Sequence, residues 1–366
     1  MKFFLKFTVL GLLLMSIAPF CTSQDEDQIK QEHPQNIILM IGDGMGVAHM
    51  YAGMTRNHGS LNLEKITHLG LQKTYSADSY ITDSAASGTA MATGKKTGNG
   101  IIGLDTNGVV LKTILEIAED NGLATGLIST SAITHATPAS FIAHVQSRNM
   151  YEEIASDFLK TDIDVFIGGG KDHFVKRKDS LDLVDELKSN GYQVLYEMEQ
   201  ISQVSSGKLA GLTAEVHNPS CLEGRGDMLP LATKTALSIL EKDSDGFFLM
   251  IESSQIDWGG HDNDTEYIIS EMLDFDKAIA EVLNFAENNG NTLVVITADH
   301  ETGGMSVVGG DFKTGEVKAQ YGTKGHSSVP VLVYAFGPGA EEFSGIYENT
   351  EIFEKFLKLY GFKNED

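Results

Sequence analysis

Six short apolar runs containing β-branched residues recur along the chain, and between them the apolar positions fall into helical spacing. The runs are NIILMIG (36–42), ATGLIST (124–130), DVFIGGG (164–170), GFFLMIES (246–253), NTLVVITA (291–298) and VPVLVYAFG (329–337). Helical patterns extend from Val110 to Asn121, Leu229 to Lys242, Thr265 to Asn289 and Thr350 to Tyr360. A strand with one face in water alternates apolar and polar residues. These runs barely alternate, so each is expected to be covered on both faces. Buried strands separated by helices predict an α/β fold, a central mostly parallel β-sheet with helices on both faces. No internal repeat or low-complexity linker interrupts the pattern. The stretch 205–230, rich in Gly and Ser and without clear periodicity, is expected to be an insertion on the rim of the sheet.

The N-terminus, MKFFLKFTVLGLLLMSIAPFCTS, departs from this pattern. Lys2 and Lys6 precede an apolar stretch from Phe7 to Ile17, and small residues follow, which is the layout of a secretory signal peptide over residues 1–23. The stretch is too short to span a bilayer. Cleavage after Ser23 would leave 24–366 as a single catalytic domain. A lipid anchor on Cys21 is the lesser alternative, because Phe20 stands where lipoprotein processing wants a small residue. No later segment is apolar enough to cross a membrane, so a periplasmic or secreted protein is expected. Cys21 and Cys221 are the only cysteines, so the mature chain would carry one thiol and no internal disulfide. The formal net charge of −24 becomes still more negative without Lys2 and Lys6. Such a chain is poorly suited to bind nucleic acid or anionic lipid. Any anionic substrate must be drawn in by local positive charge.

Candidate chemistry collects where the apolar runs end. NIILMIG leads into Asp43, GFFLMIES holds Glu252 and is followed by Asp257 and His261, and NTLVVITA leads into Asp299 and His300. Carboxylates and imidazoles therefore gather at the carboxyl ends of several strands, where open α/β sheets place their ligands. Asp257 and His261 are four apart, which puts both on one face of a helix. Asp299 and His300 are adjacent and share an ion only if the chain turns there, as the following ETGG allows. Mixed nitrogen and oxygen donors suit zinc, and oxygen-only sites suit magnesium.

The motifs GDGMG (42–46), TDSAASGTAMATG (82–94), THATPASFIAHVQSR (134–148), ESSQIDWGGH (252–261), TADHETGG (297–304) and GTKGHS (322–327) resemble, in order, those of the alkaline phosphatases. The resemblance implies an alkaline-phosphatase-like fold and hydrolysis of small phosphate monoesters through a phosphoserine, with two zinc ions and one magnesium per chain, in a homodimer. It makes Ser84, behind Asp83, the nucleophile and Arg148 the phosphate clamp. A helix starting at Ser84 would present free N–H groups to phosphate. By the same resemblance Asp257, His261 and His326 hold one zinc, and Asp299, His300 and the Ser84 oxygen meet a second. Asp43 bridges that zinc to the third ion, which Thr137 and Glu252 complete. His135 stands where an aspartate is common and Trp258 where a lysine is common, similar to a subset that includes cold-active marine enzymes. His135 is expected near or on the third ion, with Trp258 walling the substrate pocket. His33, His49, His58, His68, His144, His173 and His217 carry no such context and are expected to be structural or superficial.

One spacing resists. Arg148 lies eleven residues after Thr137, about 16 Å along a continuous helix, so the chain must turn back between them. The alternation of Phe141, Ala143 and Val145 favours a short strand there. Other readings fit less well. A sulfatase needs a cysteine or serine in C-x-P-x-R, whereas Cys221 lies in CLEGR. A related phosphodiesterase or phosphomutase would lack the TDSAAS and THATP motifs, and a binding module without catalysis would need no nucleophile at a helix start.

Overall fold

The computed structural model describes residues 33–363. The expected signal peptide, its cleavage site and Cys21 lie outside the described residues. The strands in chain order are β1 Asn36–Gly42, β2 His68–Lys73, β3 Ala124–Ala132, β4 Val165–Gly169, β5 Gln193–Leu195, β6 Leu209–Leu212, β7 Phe247–Ser253, β8 Thr292–Thr297, β9 Glu301–Thr302, β10 Met305–Asp311, β11 Glu316–Tyr321, β12 His326–Ser327, β13 Val331–Phe336 and β14 Gly345–Glu348. Ten of these form one sheet in the order β14-β2-β13-β8-β1-β7-β3-β4-β6-β5.

The apolar runs make the centre of that sheet because both of its faces are covered. Along β1, Ile37, Leu39 and Ile41 enter one core, and Ile38 and Met40 enter the other. In β7, Phe248 and Met250 alternate with Phe247, Leu249 and Ile251 in the same way. The helices Ser84–Thr93, Ile114–Asp120 and Glu351–Tyr360 contribute to the first core. Val47–Arg56, Met228–Leu240 and Thr265–Asn289 contribute to the second. All ten residues of Ser84–Thr93 are buried, so its small side chains let it lie close beneath the sheet edge.

The sheet is parallel except around β13, which runs antiparallel to both β8 and β2. Its parallel part brings the carboxyl ends of β1, β7, β3 and β8 to one edge: Ile41 pairs with Glu252 and with Thr297, and Ser129 pairs with Glu252. Three expectations need correction. The pattern beginning at Val110 becomes helical only at Ile114. There Thr113 caps the helix, its hydroxyl accepting from the Glu116 N–H at 3.2 Å while Glu116 accepts from the Thr113 N–H at 2.8 Å. The stretch 205–230 is not simply a rim insertion, because β6 within it pairs with β4 and β5 in the main sheet. The short strand expected near Phe141 reduces to one bridge, Val145 with Ile102.

Candidate active site

The helix Ser84–Thr93 starts with Asp83 as its cap, one carboxylate oxygen accepting from the Ala86 N–H at 3.0 Å. Ser84, the first helical residue, is 2 % exposed. Its Oγ lies 3.3 Å from His300 Nε2 and 3.5 Å from Asp43 Oδ2. The other Asp83 oxygen accepts from Arg148 at 2.9 Å and from the Gly100 N–H at 3.0 Å. Arg148 returns to the site because the helix Ala136–Ala139 lasts only one turn and the Val145–Ile102 bridge folds the chain back. Its guanidinium ends 3.4 Å from His135 Nε2.

Around Ser84 the described residues contain three groups of converging ligand atoms: Asp257 with His261 and His326, Asp43 with Asp299 and His300, and Asp43 with His135 and Glu252. Asp257 and His261 lie on the helix Gln255–Asp262. The Nδ1 of His326 faces the Thr82 carbonyl at 2.8 Å and that of His261 the Lys324 carbonyl at 2.6 Å. Each Nδ1–H is thereby engaged, and the two Nε2 atoms meet at 3.2 Å beside Asp257. Asp257 is held well below the ordinary carboxylate range. Burial alone would raise it, but the hydrogen bond from His261 and the nearby His300 and His326 outweigh burial. The same hydrogen bond raises His261 to about 9.

The second and third groups are buried, each pairing two carboxylates with one imidazole. Burial, then the charges of Asp299, Asp257 and Glu252, pushes Asp43 well above the ordinary range. Burial and the charge of Asp257 push Asp299 up to about 6, against the N–H of Gly44. Glu252 is raised by burial despite hydroxyl donors from Ser129 and Ser254, each at 2.6 Å. His135 falls to about 3 and His300 goes well below its usual value, burial being the main cause in both. Asp43 Oδ1, Asp299 Oδ2, Glu252 Oε1, Thr137 Oγ1 and His135 Nδ1 are buried with no hydrogen-bond partner. Buried carboxylates with spare lone pairs, crowded until their charged forms are disfavoured, fit a set of divalent cations.

Ser84, Arg148 and the three ligand groups therefore converge at this one edge. Trp258 sits edge-on to His135, with ring centroids 6.2 Å apart. His217, expected to be structural or superficial, joins them at 5.0 Å from Trp258 and 5.7 Å from His135, its Nδ1 accepting from the Ala132 N–H at 3.1 Å. It arrives from the crossover after β6, and nothing in its sequence neighbourhood signals the approach. Ser129, Ser254 and Thr302 were also missed as supports. Ser254 and Thr302 lie inside the ESSQIDWGGH and TADHETGG motifs, and that was the available signal.

A serine at a buried helix start, an arginine beside it and converging cation ligands at the carboxyl edge of an α/β sheet define a metal-dependent hydrolase of anionic esters. The family model described as alkaline phosphatase matches residues 34–320. Alkaline phosphatase 3 of Bacillus subtilis (strain 168) is 35% identical over 95% of this chain and 94% of its own length. The solved alkaline phosphatase from the Antarctic bacterium TAB5 superposes with a TM-score of 0.85 at 42% identity, over 91% of this chain and 99% of that one. Variants of the TAB5 enzyme in which a histidine is replaced by aspartate or glutamate have magnesium bound in a site termed M3. A cold-active alkaline phosphatase from Shewanella sp. gives 0.82 at 33% identity, over 89% and 99%. The chain belongs to the alkaline phosphatase family and is a metal-dependent enzyme that hydrolyses phosphate monoesters.

Proposed function

We propose that the enzyme transfers the phosphoryl group of a small monoester to Ser84 and then to water, at a site holding two zinc ions and one magnesium. The observation that carries this reading is the meeting of Ser84 Oγ with His300 and Asp43 at the start of a buried helix. Asp257, His261 and His326 would hold one zinc. Asp299 and His300 would hold the second beside Ser84, and Asp43, Thr137 and Glu252 would take magnesium, with His135 adjoining. The magnesium in the TAB5 variants, where a histidine has become a carboxylate, supports placing His135 next to that ion. When bound, the cations supply Lewis acidity, favouring the ionised serine and offsetting charge on the transferred oxygens.

The protein's own residues do the rest. The first N–H groups of Ser84–Thr93 and the planar fork of Arg148 orient the phosphoryl oxygens. Asp83 holds Arg148 from behind and caps the same helix, so nucleophile and clamp share one anchor. Ser84 Oγ gives up its proton and bonds to phosphorus as the ester oxygen leaves, and that oxygen takes up a proton to depart as the alcohol. Water then displaces Ser84, and its proton goes to the departing serine oxygen. Trp258, His135 and His217 wall the approach. In this reading residues 1–23 direct export to the periplasm or medium, and 24–366 form the catalytic domain. Among the described residues no helix is long and apolar enough to cross a membrane. A homodimer is supported by exposed Val47, Tyr51, Val308, Phe312 and Val329, which line two adjoining clefts.

The test compares p-nitrophenyl phosphate with its bis-ester, before and after chelation and after return of zinc and magnesium. Monoester turnover that disappears with chelation and needs both metals for recovery is expected. Preference for the diester, or recovery with one metal alone, contradicts the proposal.

A further inference from the structure

Thr302 belongs to none of the three ligand groups, yet it touches two of them. Its hydroxyl donates to Asp257 Oδ1 and lies 3.2 Å from His300 Nδ1. We propose that Thr302 is a positioning residue that locks the two zinc-ligand sets to each other. The proposal rests on the reading of Asp257, His261 and His326, and of Asp43, Asp299 and His300, as metal ligands.

The proton inventory gives the arrangement its direction. A carboxylate accepts only, so the single hydroxyl proton of Thr302 goes to Asp257. The hydroxyl oxygen then receives the Nδ1–H of His300. That selects one tautomer of His300, leaving the Nε2 lone pair to face Ser84 Oγ, Asp43 and Asp299. Thr302 is also seated between two glycines. A Cβ on Gly44 would stand 2.7 Å from Thr302 Oγ1, and one on Gly260 would stand 2.9 Å from Thr302 Cβ. Gly44 has φ +72° and suits glycine in any case, but Gly260 has no such backbone reason. The space at Gly260 exists for Thr302.

The backbone of Thr302 completes the link. Its N–H donates to the Gly44 carbonyl at 3.1 Å, beside Asp43, and β9 pairs it with His326. On the other side of β9, Glu301 accepts from the N–H groups of Gly304 and Met305 at 3.2 and 2.9 Å and from the Ser327 hydroxyl. One two-residue strand thus closes the ETGG turn and ties both sets together. The outer partners of metal ligands orient them, and losing one typically costs about 10–100-fold in affinity.

The experiment uses Thr302→Val, which keeps the shape and removes the hydroxyl, and Thr302→Ser, which keeps the hydroxyl. Zinc content is measured by elemental analysis after dialysis against graded chelator, with cobalt(II) absorption spectra and the unfolding midpoint of metal-free protein as controls. Expected are weaker retention of both zinc ions in Thr302→Val by about 10–100-fold, an altered cobalt spectrum, an unchanged metal-free midpoint and near-complete rescue in Thr302→Ser. Wild-type retention in Thr302→Val, loss at one site only, or equal loss in Thr302→Ser would overturn the proposal. A wild-type protein that retains no zinc would instead remove the reading on which it rests.

Discussion

Gly88→Ala sets two effects of opposite sign against each other inside the helix that carries the nucleophile. Replacing glycine by alanine in a helix interior gains about 1 kcal/mol of propensity. At Gly88 the new Cβ would stand 2.8 Å from Ser140 Oγ and 3.0 Å from Ser140 Cβ. Ser140 cannot easily retreat, because its hydroxyl is engaged with the Ala136 carbonyl at 2.8 Å and lies 3.2 Å from that of Ala85. Overpacking of this kind costs about 1–3 kcal/mol, so a net loss of up to about 2 kcal/mol is expected. The element that must move is the single turn Ala136–Ala139, and Thr137 Cα already lies 3.7 Å from the same point. In the proposed site, displacing Thr137 would weaken magnesium binding, by about tenfold on the scale of lost metal-site supports. Unfolding of the metal-free protein and magnesium titration of monoester hydrolysis at saturating zinc would measure the two consequences. Adding Ser140→Gly should restore magnesium affinity. A Gly88→Ala protein that is stabilised by the full propensity gain and binds magnesium normally would refute the packing argument.

Two further outcomes follow from groups away from the reaction. Arg225→Met leaves Glu271 and Asp274 buried without their shared cation, and the three side chains are at most 3 % exposed. A loss of about 3–5 kcal/mol is expected by chemical denaturation, recovered in part when both acids become amides, whereas a loss below about 1 kcal/mol, the scale of a surface pair, would contradict it. His144 faces the Gly103 carbonyl at 2.9 Å and Glu116 at 3.0 Å, and these partners raise its pKa although burial opposes them. Its contribution is therefore full below the unfolded histidine value of about 6.5 and is lost as pH rises through the higher folded value. The stability advantage over His144→Gln should fade in that direction, and an advantage that grows with pH would reverse the assignment.

What the sequence made legible depended on the range of the interaction. The centre of the sheet could be read from NIILMIG, GFFLMIES and NTLVVITA, because burial on both faces removes alternation locally. The direction of β13 could not, since an apolar run looks the same in either orientation and only its pairing with β8 and β2 sets it. His68–Lys73 was missed because its burial is mixed, with Leu69 and Lys73 exposed. The candidate ligands were legible as motifs adjoining strand ends. Their supports were not: Thr302, His217 and Ser129 act on residues 45, 82 and 123 positions away, through contacts that only the folded chain creates. The return of Arg148 is a case between these, since its necessity followed from helix rise but its route through Val145 and Ile102 did not.

The central claim is that Ser84 carries the phosphoryl group at a metal-bearing site. Its most direct test is to mix metal-loaded enzyme with a labelled monoester, quench in acid within the first turnovers, and map the label by peptide mass spectrometry. The account predicts label on the peptide containing Ser84, none after chelation, and none in Ser84→Ala. Label on another residue, or sustained monoester turnover with no labelled peptide at all, would contradict it.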